Sequence, residues 1–157
     1  MSDVTYNLTA EERLEVFGEH DPAQHAAEAQ RRWGETDAYR ESARRTSTYT
    51  KDDWLRIRDE GAAVDDAFVA AMEAGLPPGS AQARAAAMAH REHISRWFYE
   101  VSPEAHQGLA RMYVEDPRFM RTYDERSPGH CRATSRPACP WSAWTARPPT
   151  SCRSWTS

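Results

Sequence analysis

The stretch Thr50-Lys-Asp-Asp-Trp-Leu-Arg-Ile-Arg-Asp-Glu-Gly-Ala-Ala-Val-Asp-Asp-Ala-Phe-Val-Ala-Ala-Met72 decides the fold. Within it Trp54, Ile57, Gly61, Val64, Phe68, Ala71 and Met72 recur at steps of three and four, closed by a final step of one. That is the period of one helix face, and it excludes a strand, whose faces alternate every second residue. Gly75-Leu-Pro-Pro-Gly79 then predicts a turn. Ser80 is placed to cap a second helix, in which Ala83, Ala87, His90, Ile94 and Trp97 repeat in the same way. Two such helices with so short a connection form a helical hairpin.

Working outward, the same grammar continues. Thr9-Ala-Glu-Glu12 has the capping-box pattern, Leu14 and Phe17 stand three apart, and Gly18 is a C-terminal stop. Asp21-Pro22 predicts an N-cap and a first helical residue, opening one helix that runs to Trp33 and ends at Gly34. A shorter helix over about Asp37 to Arg45 carries Tyr39. Downstream, Ser102-Pro103 opens a helix with His106, Leu109, Ala110 and Tyr113 on one face. Asp116-Pro117 opens the last, with Phe119, Met120 and Tyr123. No segment alternates apolar and polar residues, so the body is expected to be all-α.

Composition limits the core. Leu, Ile, Val and Phe together supply 17 of 157 residues, so a large aliphatic interior is excluded and Ala and aromatics must do the packing. The formal net charge of −4 hides an asymmetry. Residues 127–157 carry Arg132, Arg136, Arg147 and Arg153 and no acid, which leaves −8 on residues 1–126. An acidic body is a poor match for a phosphate backbone, and direct nucleic-acid binding is not expected. No run approaches the roughly 18 apolar residues of a membrane span. The N-terminus has neither the basic nor the apolar region of a signal peptide. A cytoplasmic, membrane-free location is expected. Cys131, Cys139 and Cys152 all lie in the tail, an odd set that argues against a disulfide framework.

The tail itself breaks the pattern. Residues 127–157 hold five Pro, three Cys and three Trp but no Val, Ile, Leu, Met, Phe or Tyr. Such a segment builds no ordinary core and reads as irregular or disordered. Its composition is what an out-of-frame GC-rich message encodes. We read residues 130–157 as the product of a frame change near Pro128-Gly129, with a flexible extension as the blander alternative, and residues 1–129 as the domain.

The run His90-Arg-Glu-His-Ile-Ser-Arg-Trp-Phe-Tyr99, then Ser102-Pro-Glu-Ala-His106, then Gly108-Leu-Ala-Arg-Met-Tyr-Val-Glu-Asp-Pro-Arg-Phe119, resembles the TipAS antibiotic-recognition domain. Glu15-Val-Phe-Gly18, Arg32-Trp-Gly-Glu-Thr-Asp-Ala-Tyr39 and Tyr49-Thr-Lys-Asp-Asp-Trp54 agree in order, so the likeness covers about residues 8–129. The resemblance implies a globin-like all-α fold that binds thiopeptide antibiotics such as thiostrepton. It also implies either a drug-sequestering protein or the effector half of a MerR-type regulator. With Met1 about eight residues before the first motif, the stand-alone form is expected. Where the founding thiopeptide binder carries a Cys that captures a dehydroalanine of the drug, this chain has Val101, so capture by that route is not expected. The family also continues after Pro-Gly with an amphipathic helix that this chain lacks.

Apart from the family, Trp97, Phe98 and Tyr99 are consecutive and point three ways around a helix end, so they do not all enter one core. A ring left over suits stacking on a flat heteroaromatic ligand. His90, His93 and His106 lack the carboxylate or Cys that would complete a known metal spacing, and a structural His or a hydrogen bond to ligand amides is the preferred reading. Ser102 with His106 has the spacing of a nucleophile and base, but an N-cap Ser before Pro explains it.

The reading is thus a non-catalytic binder of a peptide-derived antibiotic, without cofactor or metal. Trp97, Tyr99, His106 and Tyr113 supply stacking and hydrogen bonds, with His93, Val101 and Phe119 beside them. Phe17, Trp33 and Tyr39 close from a mobile N-terminal lid. The alternatives are a drug-sensing effector domain and a heme- or metal-binding globin relative.

Overall fold

The computed structural model describes residues 6–19, 21–77 and 79–116. Every element among them is helical: α1 (Ala10–Phe17), a 3-10 turn (Pro22–His25), α2 (Ala26–Trp33), α3 (Asp37–Thr46), α4 (Lys51–Glu73), α5 (Ala81–Trp97) and α6 (Pro103–Glu115). The all-α expectation holds. The helix expected from Asp116 onward, with Phe119, Met120 and Tyr123, and the whole tail lie outside the described residues. The chain divides into two compact units. Among the described residues, one comprises those up to Val64 with Ala89–Val101, and the other comprises those of Asp65–Met88 with Ser102–Asp116.

In the first unit the helix starts follow their side-chain chemistry. Thr9 Oγ1 accepts from the Glu12 backbone N–H at 3.1 Å while Glu12 Oε2 accepts from the Thr9 N–H at 2.8 Å. This satisfies two donors that a bare helix end leaves orphaned. α1 ends because Gly18 turns to φ 59° and ψ −134°, a conformation that a side chain strains. Thr50 and Asp53 repeat the reciprocal cap at the start of α4, at 3.0 and 3.3 Å.

The single helix expected from Asp21 to Trp33 is instead two pieces. Asp21 Oδ1 accepts from Ala23 N–H at 2.9 Å, and the Ala26 N–H bonds back to Ala23 O. These short-range bonds tighten the first turn to 3-10 geometry before α2 begins.

The core of this unit is aromatic, as the shortage of aliphatics requires. Val16, Trp54 and Ile57 are buried, and Tyr6, Leu8, Phe17, Tyr49, Leu55, Trp97 and Phe98 pack against them. Trp54 is the hub: Tyr6, Phe17 and Tyr49 meet it edge-on at centroid distances of 5.4, 5.3 and 5.8 Å, and Phe98 lies tilted at 6.4 Å. Such pairs add about 0.5–1.5 kcal/mol each beyond the burial of their area. The 3-10 turn and α2 contribute no buried side chain, and α3 contributes only Thr46.

The second unit buries Phe68, Ala71 and Met72 from α4, Ala83, Ala86 and Ala87 from α5, and His106 and Ala110 from α6. α4 ends in a Schellman arrangement: Gly75, at φ 65°, donates to Met72 O at 2.9 Å and Leu76 donates to Ala71 O at 3.1 Å. Ser80 Oγ accepts from the Ala83 N–H at 3.2 Å, and Ser102 Oγ accepts from the Ala105 N–H at 3.1 Å ahead of Pro103. Both N-caps are those expected from the sequence.

The Trp54 indole N–H is buried with no hydrogen-bond acceptor in reach among the described residues. Its value lies in its ring. Trp54→Ala is expected to lose about 4 kcal/mol in chemical denaturation, in the range of large aromatic deletions from cores. Trp54→Phe is expected to lose less than half of that, since no hydrogen bond goes with the nitrogen. Equal losses would show that the indole N–H has a partner.

Candidate functional site

The candidate groups of the first unit gather at the C-terminal end of α5. Glu60, on α4, faces three α5 side chains. Its Oε2 accepts from Trp97 Nε1–H at 2.7 Å and stands 3.5 Å from His93 Nδ1, while its Oε1 is 3.2 Å from Arg96 Nη1. These contacts hold the Glu60 carboxyl below the usual glutamate range, the Trp97 hydrogen bond first and the neighbouring His93 and Arg96 after it, against the opposing cost of burial. Gly61 lies beside the same imidazole: a Cβ there would stand in ordinary contact with His93 Nε2 at 3.5 Å.

The last turn of α5 is fastened from a second side. Arg45, at the end of α3, donates through Nη1 to Ser95 O at 2.9 Å, and Glu41 holds the same guanidinium at Nε at 2.6 Å. Tyr49 donates its hydroxyl to Trp97 O and packs edge-on against the Trp97 ring at 5.6 Å. The turn that follows is pinned as well. Arg91 Nε–H donates to Val101 O at 2.8 Å, and Val101 N–H donates to Ser95 Oγ at 3.1 Å. Carbonyls that the helix end leaves without partners are thereby satisfied.

Of the three consecutive rings, Trp97 and Phe98 pack on the Trp54 cluster. Tyr99 is half-buried, and that burial raises its hydroxyl pKa. Phe17 belongs to the same cluster, in contact with Trp54. His93 lies within reach of both Glu60 and the Phe98 ring, the latter at 6.3 Å. The structure thus brings Phe17, His93, Trp97 and Tyr99 into one unit and links the middle pair through Glu60.

Trp33, Tyr39 and Val101 belong to the same unit, whereas His106 and Tyr113 belong to the other. Trp33 is half-exposed, with the Arg32 guanidinium 4.5 Å above its ring. Tyr39 buries its hydroxyl with no hydrogen bond among the described residues. Near it, Tyr6 is pushed up to about 12, by burial first and then by the charge of Asp21. Val101 and His106 are both enclosed. Both side chains are 0% exposed, Val101 because its turn is pinned on both sides and His106 because it lies on the buried face of α6. Neither presents a surface to a ligand in this form. Tyr113 is placed on α6 in the second unit, and Phe119 lies outside the described residues.

Glu60, Arg45 and Tyr49 were absent from the expected site. No local pattern marked them, because each acts on a residue more than 35 positions away. No group of three or more His, Cys, Asp or Glu side chains among the described residues is arranged to hold a metal ion. No helix among them is long and apolar enough to cross a membrane.

The model of the TipAS antibiotic-recognition domain matches residues 25–136. The chain belongs to the TipAS family. It is 50% identical over 123 residues to the HTH-type transcriptional activator TipA of Streptomyces coelicolor and to that of Streptomyces lividans, covering 78% of this chain and 49% of each relative. The HTH-type transcriptional activator mta of Bacillus subtilis is 33% identical over 89 residues, 57% of this chain and 34% of its own length. The chain therefore spans about half the length of the TipA relatives it matches. The TipAS structure from Streptomyces lividans solved in complex with nosiheptide, described as part of a thiopeptide antibiotic multidrug resistance system, superposes with a TM-score of 0.73 at 42% identity. It covers 91% of this chain and 100% of that one. The TipAS fold is all-helical in both, and a globin-like arrangement fits what the chain shows.

Because the Glu60 carboxyl is held below its ordinary range in the folded protein, it adds stability at neutral pH. That contribution begins to fade below pH about 4.3, where the unfolded carboxylate takes up a proton. It is gone once the pH has dropped through the lowered folded value. Glu60→Gln is therefore expected to flatten the acid limb of the stability curve relative to the parent, with little change in slope between pH 6 and 8. Unfolding midpoints measured across that range check it, and superposable acid limbs would contradict it.

Proposed function

We propose that this chain binds a peptide-derived macrocyclic antibiotic of the thiopeptide class and sequesters it without chemical change. The observation that carries the proposal is the likeness to the nosiheptide-bound TipAS structure at 42% identity over all of that chain. The side chains offered for contact are Phe17, Trp33, Tyr39, His93, Trp97, Tyr99, Val101, His106, Tyr113 and Phe119. Rings dominate the set, as suits a ligand built of flat heteroaromatic units. Binding is non-covalent on this reading, since Val101 carries no nucleophile. Val101 and His106, being buried, take part through the backbone they support or after a local rearrangement of the site.

The lid of this proposal is the segment from Pro22 to Trp33. α1 is fixed by Val16, Phe17 and the Trp54 cluster, and α3 by Arg45. The segment between them places no side chain in the core. Short helices without buried contacts are marginal in water, so a ligand that covers Trp33 would supply the missing burial.

A second reading has its own support. The relatives are HTH-type transcription regulators of which this chain covers 49% and 34%, so the domain fits a sensing role beside a DNA reader. The two readings separate in a sensitive host. Under sequestration, thiostrepton tolerance rises with the amount of this chain produced. Under sensing, tolerance is flat even though the drug binds.

Titration of purified protein with nosiheptide, followed by tryptophan fluorescence, is expected to give saturable quenching, and the denatured protein is expected to keep its unmodified mass. No response to nosiheptide, thiostrepton or related macrocycles would sink the binding proposal, and a persistent mass adduct would sink its non-covalent form. Amide exchange is expected to show residues 22–33 gaining protection on nosiheptide addition. Strong protection of that segment in the free protein would remove the lid.

A further inference from the structure

We infer that Glu60 is a positioning residue for antibiotic recognition, acting through Trp97 and restricting that indole to contact through its ring. The inference rests on the antibiotic-binding reading above. Glu60 touches no expected ligand contact other than through α5, and its carboxylate takes up the only hydrogen-bonding group of the Trp97 side chain, at 2.7 Å. An indole has one donor and no acceptor. The Trp97 backbone carbonyl is taken as well, by the Tyr49 hydroxyl. Trp97 is half-buried yet has no polar group left to offer. What it presents is carbon, so its part in recognition is apolar contact or stacking with a flat ring of the ligand rather than a hydrogen bond.

The same carboxylate fixes where that ring stands. Oε2 accepts from Trp97 Nε1–H and stands 3.5 Å from His93 Nδ1, and Oε1 lies toward Arg96, so the carboxylate bonds one candidate contact and faces a second a helical turn away. The hydrogen bond is charge-assisted and partly shielded, which makes it stronger than a neutral pair in water. With Glu60 gone, the indole keeps its Tyr49 packing but loses the bond that sets its rotation about the side-chain axis. A ring whose rotamer is set in advance loses less freedom when a ligand stacks on it.

The test uses the full chain and nosiheptide, with the indole N–H resonances of protein labelled at tryptophan nitrogen. Trp97→Phe identifies the Trp97 resonance by its disappearance. Glu60→Ala is expected to move that resonance and to weaken nosiheptide on the order of tenfold, the scale of one hydrogen bond to a charged acceptor. Glu60→Gln keeps an acceptor oxygen and is expected to recover most of both effects. In the Trp97→Phe background, Glu60→Ala is expected to cost less than about twofold, because the effect runs through the indole. An unmoved Trp97 resonance in Glu60→Ala overturns the hydrogen bond. A moved resonance with unchanged affinity overturns the positioning role, and an equal loss in the Trp97→Phe background overturns its route. Failure of the parent protein to bind nosiheptide overturns the reading beneath, while the indole resonance still decides the hydrogen bond by itself.

Discussion

Trp54 meets Tyr6, Phe17 and Tyr49 edge-on and Phe98 at a tilt, and the first unit is organised around that meeting. The reason lies in composition. With 17 Leu, Ile, Val and Phe residues in 157, ordinary aliphatic packing is out of reach. Aromatic rings fill the same volume with fewer residues, and their edges and faces impose angles that aliphatic groups do not. α1, the segment between α3 and α4, and the end of α5 are each tied to this cluster by one or two rings. Phe98, the middle ring of the consecutive three, is committed to the core, and its neighbours are set by that commitment.

The sequence made the helices legible because their signals are local. Thr9 with Glu12, Ser80 and Ser102 with Pro103 each satisfy orphaned donors within a few residues, so the pattern and the structure agree. The apolar stripe of α4 was equally plain, since Trp54, Ile57, Val64, Phe68, Ala71 and Met72 are all buried. Asp21-Pro22 misled because an Asp cap two residues from its donor favours a 3-10 turn as readily as an α-helix. That choice is made by backbone bonds one residue apart, below what a pattern resolves.

The site was legible in part and for a different reason. Aromatic residues outnumber what one small core can hold, so Trp97 and Tyr99 stood out as rings with a second use. What the sequence did not show is who fastens them. Arg45 reaches Ser95 across 50 residues, Tyr49 reaches Trp97 across 48, and Glu60 reaches Trp97 across 37. None of these partners is recognisable by type, because Arg, Tyr and Glu on helix surfaces are ordinarily solvated. The burial of Val101 and His106 was hidden for the complementary reason: position in a motif carries no statement of burial, and both are enclosed.

These fasteners explain how a domain with so thin an aliphatic core can offer a defined binding surface. Each consists of a side chain from one element and a polar group near the end of α5, and each removes a freedom that a ligand would otherwise have to freeze. Arg45 and Tyr49 hold backbone carbonyls, so they set where the helix ends. Glu60 holds a side chain, so it sets how the ring beyond that end is turned. Pro22–Trp33 places no side chain in the core, although Pro22, Ala23, Ala26, Glu28, Ala29 and Trp33 are half-buried. The long-range bonds are therefore concentrated where α5 ends, while the segment carrying Trp33 adds no side chain to the core. Under the proposed binding of a macrocycle, such a division would let the fixed rings supply affinity while the segment carrying Trp33 conforms to the ligand.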